Sequence, residues 1–155
     1  PMVLKTRVRL PPLPPFLMRL YNIHGRLQNK NVRKYLINWE GKSRSKAQTR
    51  VKNFLQPYWE NHIVYEEFPV YGTRMHVDIV NITKKIAVEV QGKQHTSFNK
   101  FFHNNSRLNY LNSIKRDVQK REWLEKNRFK VIEVEEDETN KLNLEYFKKN
   151  FNIVL

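Results

Sequence analysis

Cysteine is absent from this chain of 155 residues, which excludes disulfides, a thiolate zinc site and a cysteine nucleophile. No apolar run approaches the roughly 18 residues that a membrane span requires. The opening PMVLKTRVRL has neither a secretory h-region nor a cleavage site, so a cytoplasmic protein is expected. Acidic residues are few: 15 Asp and Glu stand against 29 Lys and Arg, a formal net charge of +14. That balance argues against a pocket for an acidic small substrate and for a polyanionic partner. Hydrophobic residues make up only 39%, yet nine Phe, seven Tyr and three Trp suffice for one core.

The positive charge is concentrated at one end. Residues 1–50 hold twelve Lys or Arg and a single acid, Glu40. The segment VLKTRVRLPPLPPFLMRL carries four prolines between positions 11 and 15, which forbid regular helix or central strand there. Residues 1–42 are therefore expected to form a basic arm, extended over 1–20, with a short helix around Asn31–Trp39. In such an arm Lys5, Arg7, Arg9, Arg19 and Arg26 would track phosphates, since each neutralised phosphate releases counterions.

Residues 43–155 read as one α+β domain. A helix is expected over Ser45–Gln56, closed by Pro57, followed by a strand through Ile63, Tyr65 and Phe68. RMHVDIVN and IAVEVQG are β-branched runs joined by a short loop, which predicts a hairpin. A long helix over Leu108–Lys126 is expected to bury Leu111, Ile114, Val118, Trp123 and Leu124, before a strand over Phe129–Val134 and a closing helix within 142–151.

Register gives the hairpin its meaning. If Asn81 faces Ile86, then Asp78 faces Glu89 and His76 faces Gln91. Val77, Ile79, Ile86, Val88 and Val90 then form one apolar face, with Asp78, Val80, Ala87, Glu89 and Gln91 on the other. A slip of one residue would drive the carboxylates into the core. Two carboxylates about 5 Å apart repel unless a proton or cation neutralises them. A hard divalent ion such as Mg²⁺, with Mn²⁺ able to substitute, is the natural choice.

Asp78, ten intervening residues, then Glu89-Val90-Gln91 resembles the signature of the PD-(D/E)XK nuclease superfamily. More narrowly, VDIVNITKKIAVEVQGKQH and IKRDVQKREWLEKNRFKVIEV are similar to the branch of very-short-patch-repair endonucleases and EDxHD-type phage homing endonucleases. The likeness extends over about 90 of the 155 residues. It implies a restriction-endonuclease-like αβββαβ core with a mixed central sheet flanked by helices, and Mg²⁺-dependent hydrolysis of double-stranded DNA. It further implies Asp78, Glu89 and the Val90 carbonyl as metal ligands.

Gln91 stands where such nucleases most often carry Lys, so a base must come from elsewhere. His95, four residues on, is either that base or a loop histidine satisfied by backbone. Relatives place a Glu on the first helix where Ser45-Lys46-Ala47-Gln48 puts Gln48; natural divergence or a deliberate Glu→Gln change that leaves DNA uncut would each account for it. Asp117 and Lys120 are either an ordinary helix pair or face the site, with Lys120 supplying the charge that position 91 lacks. Lys93, His103, Lys115 and Arg116 would approach DNA. A phage homing endonuclease is the leading expectation, ahead of a mismatch-nicking enzyme or a junction resolvase, and then a non-catalytic DNA-binding module on a degenerate core. A double-strand break calls for two sites, which a homodimer would supply.

Overall fold

The computed structural model describes residues 16–92 and 106–155. Lys5, Arg7, Arg9, Lys93, His95 and His103 lie outside the described residues, and nothing follows about their expected roles. The architecture is mixed α and β. It opens with a hairpin of β1 (Leu17–Tyr21) and β2 (Leu27–Asn31), then a 3-10 turn at Arg33–Tyr35. Next come α1 (Lys46–Trp59), β3 (Val64–Pro69), β4 (His76–Asn81) and β5 (Ile86–Gln91). The described chain resumes with α2 (Ser106–Lys126), β6 (Lys130–Glu135), a 3-10 turn at Glu136–Glu138 and α3 (Leu144–Phe151). Among the described residues no helix is long and apolar enough to cross a membrane.

One four-stranded sheet, ordered β3-β4-β5-β6, organises the molecule. Its first three strands are antiparallel, while β6 runs parallel to β5. Parallel neighbours need a crossover, and α2 lies in it. One face of the sheet packs Val64, Ile79, Val88 and Ile132 against Val51, Leu55 and Trp59 of α1 and Phe147 of α3. The other face packs Tyr65, Phe68, Val80 and Ala87 against Trp123 and Leu124 of α2. Each such side chain contributes on the order of 1.5–3 kcal/mol on burial.

Four expectations need correction. The helix does not stop at Pro57; it continues to Trp59, whose complete burial holds the last turn despite the missing proline N–H. The short helix expected at Asn31–Trp39 is only the 3-10 turn, after which Leu36 bridges to Tyr65. Among the described side chains of α2 only Trp123 and Leu124 are buried, whereas Leu111, Ile114 and Val118 are exposed, so the helix packs through its last turns.

The fourth correction is the largest. Within the expected arm, residues 16–42 are part of the folded domain. Met18, Leu20 and Val32 enter the core beside Tyr71 and Trp123. Main-chain groups complete the attachment: Trp123 Nε1 donates to the Tyr21 carbonyl at 2.6 Å, and Asn127 both accepts from Tyr21 N–H at 2.8 Å and donates to its carbonyl at 3.1 Å. Tyr71 Oη donates to the Met18 carbonyl at 2.8 Å. The connection to α1 is fixed by buried Lys52, which donates to Asn38 O at 3.0 Å and pairs with Glu66 at 3.2 Å.

Candidate active site

The β4–β5 register matches the expectation: Asn81 faces Ile86, Val80 faces Ala87 and Ile79 faces Val88. The ladder then stops one rung short of Asp78 and Glu89. There Asp78 Oδ2 accepts the Val90 N–H at 2.8 Å, so a side chain replaces the main-chain pairing. On the other side of β4, the β3–β4 register omits the rung between Glu67 and Asp78. Glu67 has φ 51°, a left-handed backbone that costs a non-glycine residue about 1–2 kcal/mol. This break also explains one departure from simple alternation: Val77 packs with Val80 and Ala87, not with Ile79.

Asp78 and Glu89 line one open cleft of about 770 Å³. Arg44, Arg74, Arg116 and Lys120 supply its cationic wall, and Gln48, His76, Val90, Gln91 and Asp117 also line it. Glu89 is buried, 7% exposed, and faces Lys120 of α2. Lys120 Nζ lies 3.2 Å from both carboxylate oxygens. Only Oε2 meets it in hydrogen-bonding geometry, which leaves Oε1 buried without a hydrogen bond. Beside this pair, Arg121 bridges to Glu133, the β6 neighbour of Glu89.

Burial, then the charge of Asp78, pushes the Glu89 carboxyl well above the ordinary range, against the opposing pull of Lys120. Asp78 is also raised, chiefly by burial; the Val90 N–H and Lys120 oppose the rise and Glu67 adds to it. Burial is the first cause in both cases, so the pair favours a proton or a cation over two bare charges.

Gln48 is buried and reaches this region from α1, where Ser45 caps the helix by accepting the Gln48 N–H at 3.0 Å. Its side-chain amide donates to Glu66 at 3.0 Å and to Glu67 at 3.1 Å. A glutamate could not donate either bond. Thus Gln48 organises two acids of β3.

The structure brings together Asp78, Glu89, Val90, Gln91, Gln48, Asp117, Lys120 and Arg116 around one cleft. It leaves Lys115 exposed and away from the cleft lining, although it neighbours Arg116. Arg19 and Arg26 are exposed on the hairpin. Sequence reasoning missed Glu67, Arg44 and Arg74. The adjacent acids in YEEFP and the basic turn GTRMH were visible, but nothing local tied them to Asp78.

Whether a divalent cation suits this site can be judged from the donors. Two adjacent carboxylates with raised proton affinity, one oxygen of which lacks a hydrogen bond, form a suitable hard-oxygen set. Among the described residues no three His, Cys, Asp or Glu side chains converge as a metal group, so any further donors would be backbone or solvent.

No family model matches the chain, and no solved structure does. It is 32% identical over 95 residues to uncharacterized protein 033L of Invertebrate iridescent virus 3. That match spans 58% of this chain and 48% of the viral protein, so the chain spans about half the length of the curated relative it matches.

Proposed function

We propose that the protein is a Mg²⁺-dependent endonuclease acting on double-stranded DNA, of the phage homing or mobile-element kind. One observation carries the reading: Asp78 and Glu89 meet at a broken rung of the sheet, inside a cleft walled by Arg44, Arg74, Arg116 and Lys120. The α-β-β-β-α-β order from α1 to β6 and the mixed sheet support it, being the arrangement that the sequence resemblance implies.

Asp78 and Glu89 would hold the cation, with the Val90 carbonyl as a further oxygen. When bound, it supplies Lewis-acid polarisation of the phosphodiester and a more acidic water. The chain's own groups do the rest. The Val90 N–H fixes the Asp78 carboxylate in one orientation. Arg44, Arg74 and Arg116 grip backbone phosphates on either side of the scissile bond and position it. Lys120 holds Glu89 in place and adds positive charge where the transition state gains negative charge. Gln91 orients water through its amide, a group that is itself no base.

The test is relaxation or linearisation of supercoiled plasmid with Mg²⁺ and then with Mn²⁺. Asp78→Asn is expected to abolish cleavage while leaving DNA affinity equal or higher; cleavage retained by this variant would remove the proposal.

A second reading, a non-catalytic DNA-binding module on a degenerate core, is favoured by the amides at positions 48 and 91 and by Lys120 lying against Glu89. Tight, salt-sensitive binding with no cleavage in either metal would select it.

A further inference from the structure

We infer that the outward face of the β1–β2 hairpin is a reading ribbon laid in the major groove of duplex DNA, with Arg19 and Asn29 against base edges. The inference takes duplex DNA as the partner from the reading above, and adds the element that would recognise its sequence. Alternation in the two strands points Met18 and Leu20 inward to the core and Leu17, Arg19, Tyr21, Leu27, Asn29 and Asn31 outward. Arg19 and Asn29 oppose each other on the central rung of five, with Leu17 opposite Asn31 at one end and Tyr21 opposite Leu27 at the other. Neither Arg19 nor Asn29 makes a hydrogen bond or ion pair with a described residue.

Several features fit the groove. A two-stranded ribbon of five residues is roughly 17 Å long. The major groove, about 12 Å wide, admits a ribbon of this kind. Arginine matches the O6 and N7 edge of guanine, and asparagine matches the N6 and N7 edge of adenine. Residues 16–35 contain five cations, Arg19, Arg26, Lys30, Arg33 and Lys34, and no acid. Arg26 is exposed at the turn and Arg33 and Lys34 are exposed past the far end, so phosphate contacts are available at both ends of the reading face. Leu17 is 67% exposed, Leu27 48% and Tyr21 40%; groove contacts with thymine methyl groups would cover them.

Position relative to the cleft also fits. A β-carbon at Gly72 would meet Ile23 of the hairpin turn at 3.1 Å, and the next residues, Thr73 and Arg74, line the cleft. Asn127, which grips Tyr21, lies seven residues beyond Lys120, about 10 Å along the helix or roughly three base-pair steps. The hairpin and the cleft are thus joined through the same helix and the same β3–β4 turn, within the reach of a few base pairs. The deep, narrow major groove of A-form RNA would exclude the ribbon.

The experiment binds the full chain to a duplex DNA pool with a randomised centre, in EDTA, and sequences the bound fraction. The wild type is expected to enrich a short motif containing guanine and adenine. Arg19→Lys keeps total affinity within about threefold but loses the guanine preference by on the order of tenfold, because lysine retains charge without the bidentate fork. Asn29→Ala loses the adenine preference. Both positions are exposed, and a melting curve checks that each variant folds. No enriched motif, a motif unchanged in both variants, or equal competition by duplex RNA would overturn the inference. Plasmid cleavage is scored separately with divalent ion: a wild type that cleaves but enriches no motif removes the ribbon, while motif reading without cleavage removes the nuclease.

Discussion

At the scale of single residues, the site trades stability for charge. Burial holds Asp78 and Glu89 above their ordinary range, so the folded protein keeps protons more tightly than the unfolded chain does. Their contribution to stability is then complete below the ordinary values, 3.8 for Asp78 and 4.5 for Glu89, and is lost as pH rises through the raised ones. Asp78→Asn keeps an acceptor for the Val90 N–H and removes the charge that disfavours ionised Glu89. Its melting temperature should exceed wild type in mildly alkaline buffer, by roughly 2–4 °C for each kcal/mol relieved, with the gap closing at mildly acidic pH. Calorimetry across pH checks this; a constant gap would contradict it. Mg²⁺ should raise the wild-type melting temperature more at the alkaline end than at the acidic end. Gln48→Glu is expected to lower stability by about 1–3 kcal/mol, because it deletes two donated bonds and adds a third carboxylate beside Glu66 and Glu67. Urea titration measures it, and added Mg²⁺ recovering the loss would mark that cluster as cation-binding.

At the scale of elements, the hairpin register was legible because only one pairing separates the acids from most of the apolar residues, and the observed rungs are those of that pairing. The break at Asp78 was not legible. It depends on Glu67, whose left-handed backbone leaves no mark in a six-residue strand of ordinary composition. The β1–β2 hairpin was obscured for another reason. The prolines that precede it and its own cations suggested an arm, while the alternation Leu17-Met18-Arg19-Leu20-Tyr21 is short and its partner LQNKN is wholly polar after Leu27. What holds it is tertiary: Trp123 and Asn127 lie more than a hundred positions away. Trp123→Ala should therefore cost about 3–5 kcal/mol and, in hydrogen exchange, deprotect the amides of β1 before those of β4. Equal loss of protection in both strands would show the hairpin and sheet to be one cooperative unit.

For the whole molecule, net charge would govern the proposed encounter with DNA, while the sheet places the acidic pair. Fifteen acids against 29 cations make binding to DNA steeply salt-dependent if phosphates are neutralised along the surface. Met18 and Leu20 are core residues, so a truncation that tests the basic leader has to end at residue 15. Removing 1–15 deletes Lys5, Arg7 and Arg9 and should reduce the log–log salt slope by up to about 2.7. Fluorescence anisotropy over a salt series measures the slope, and an unchanged value would mean that these three cations do not touch DNA.

The bond that Asp78 takes over from the main chain reaches beyond the proposed cleavage. If such an activity were given up, Glu89 and Lys120 could go together, since losing the lysine alone would strand a buried carboxylate. Position 78 would still need an oxygen for the amide of Val90, so asparagine would settle there far more readily than alanine. A descendant of that kind would carry a fossil of the proposed reaction in its hydrogen bonding alone.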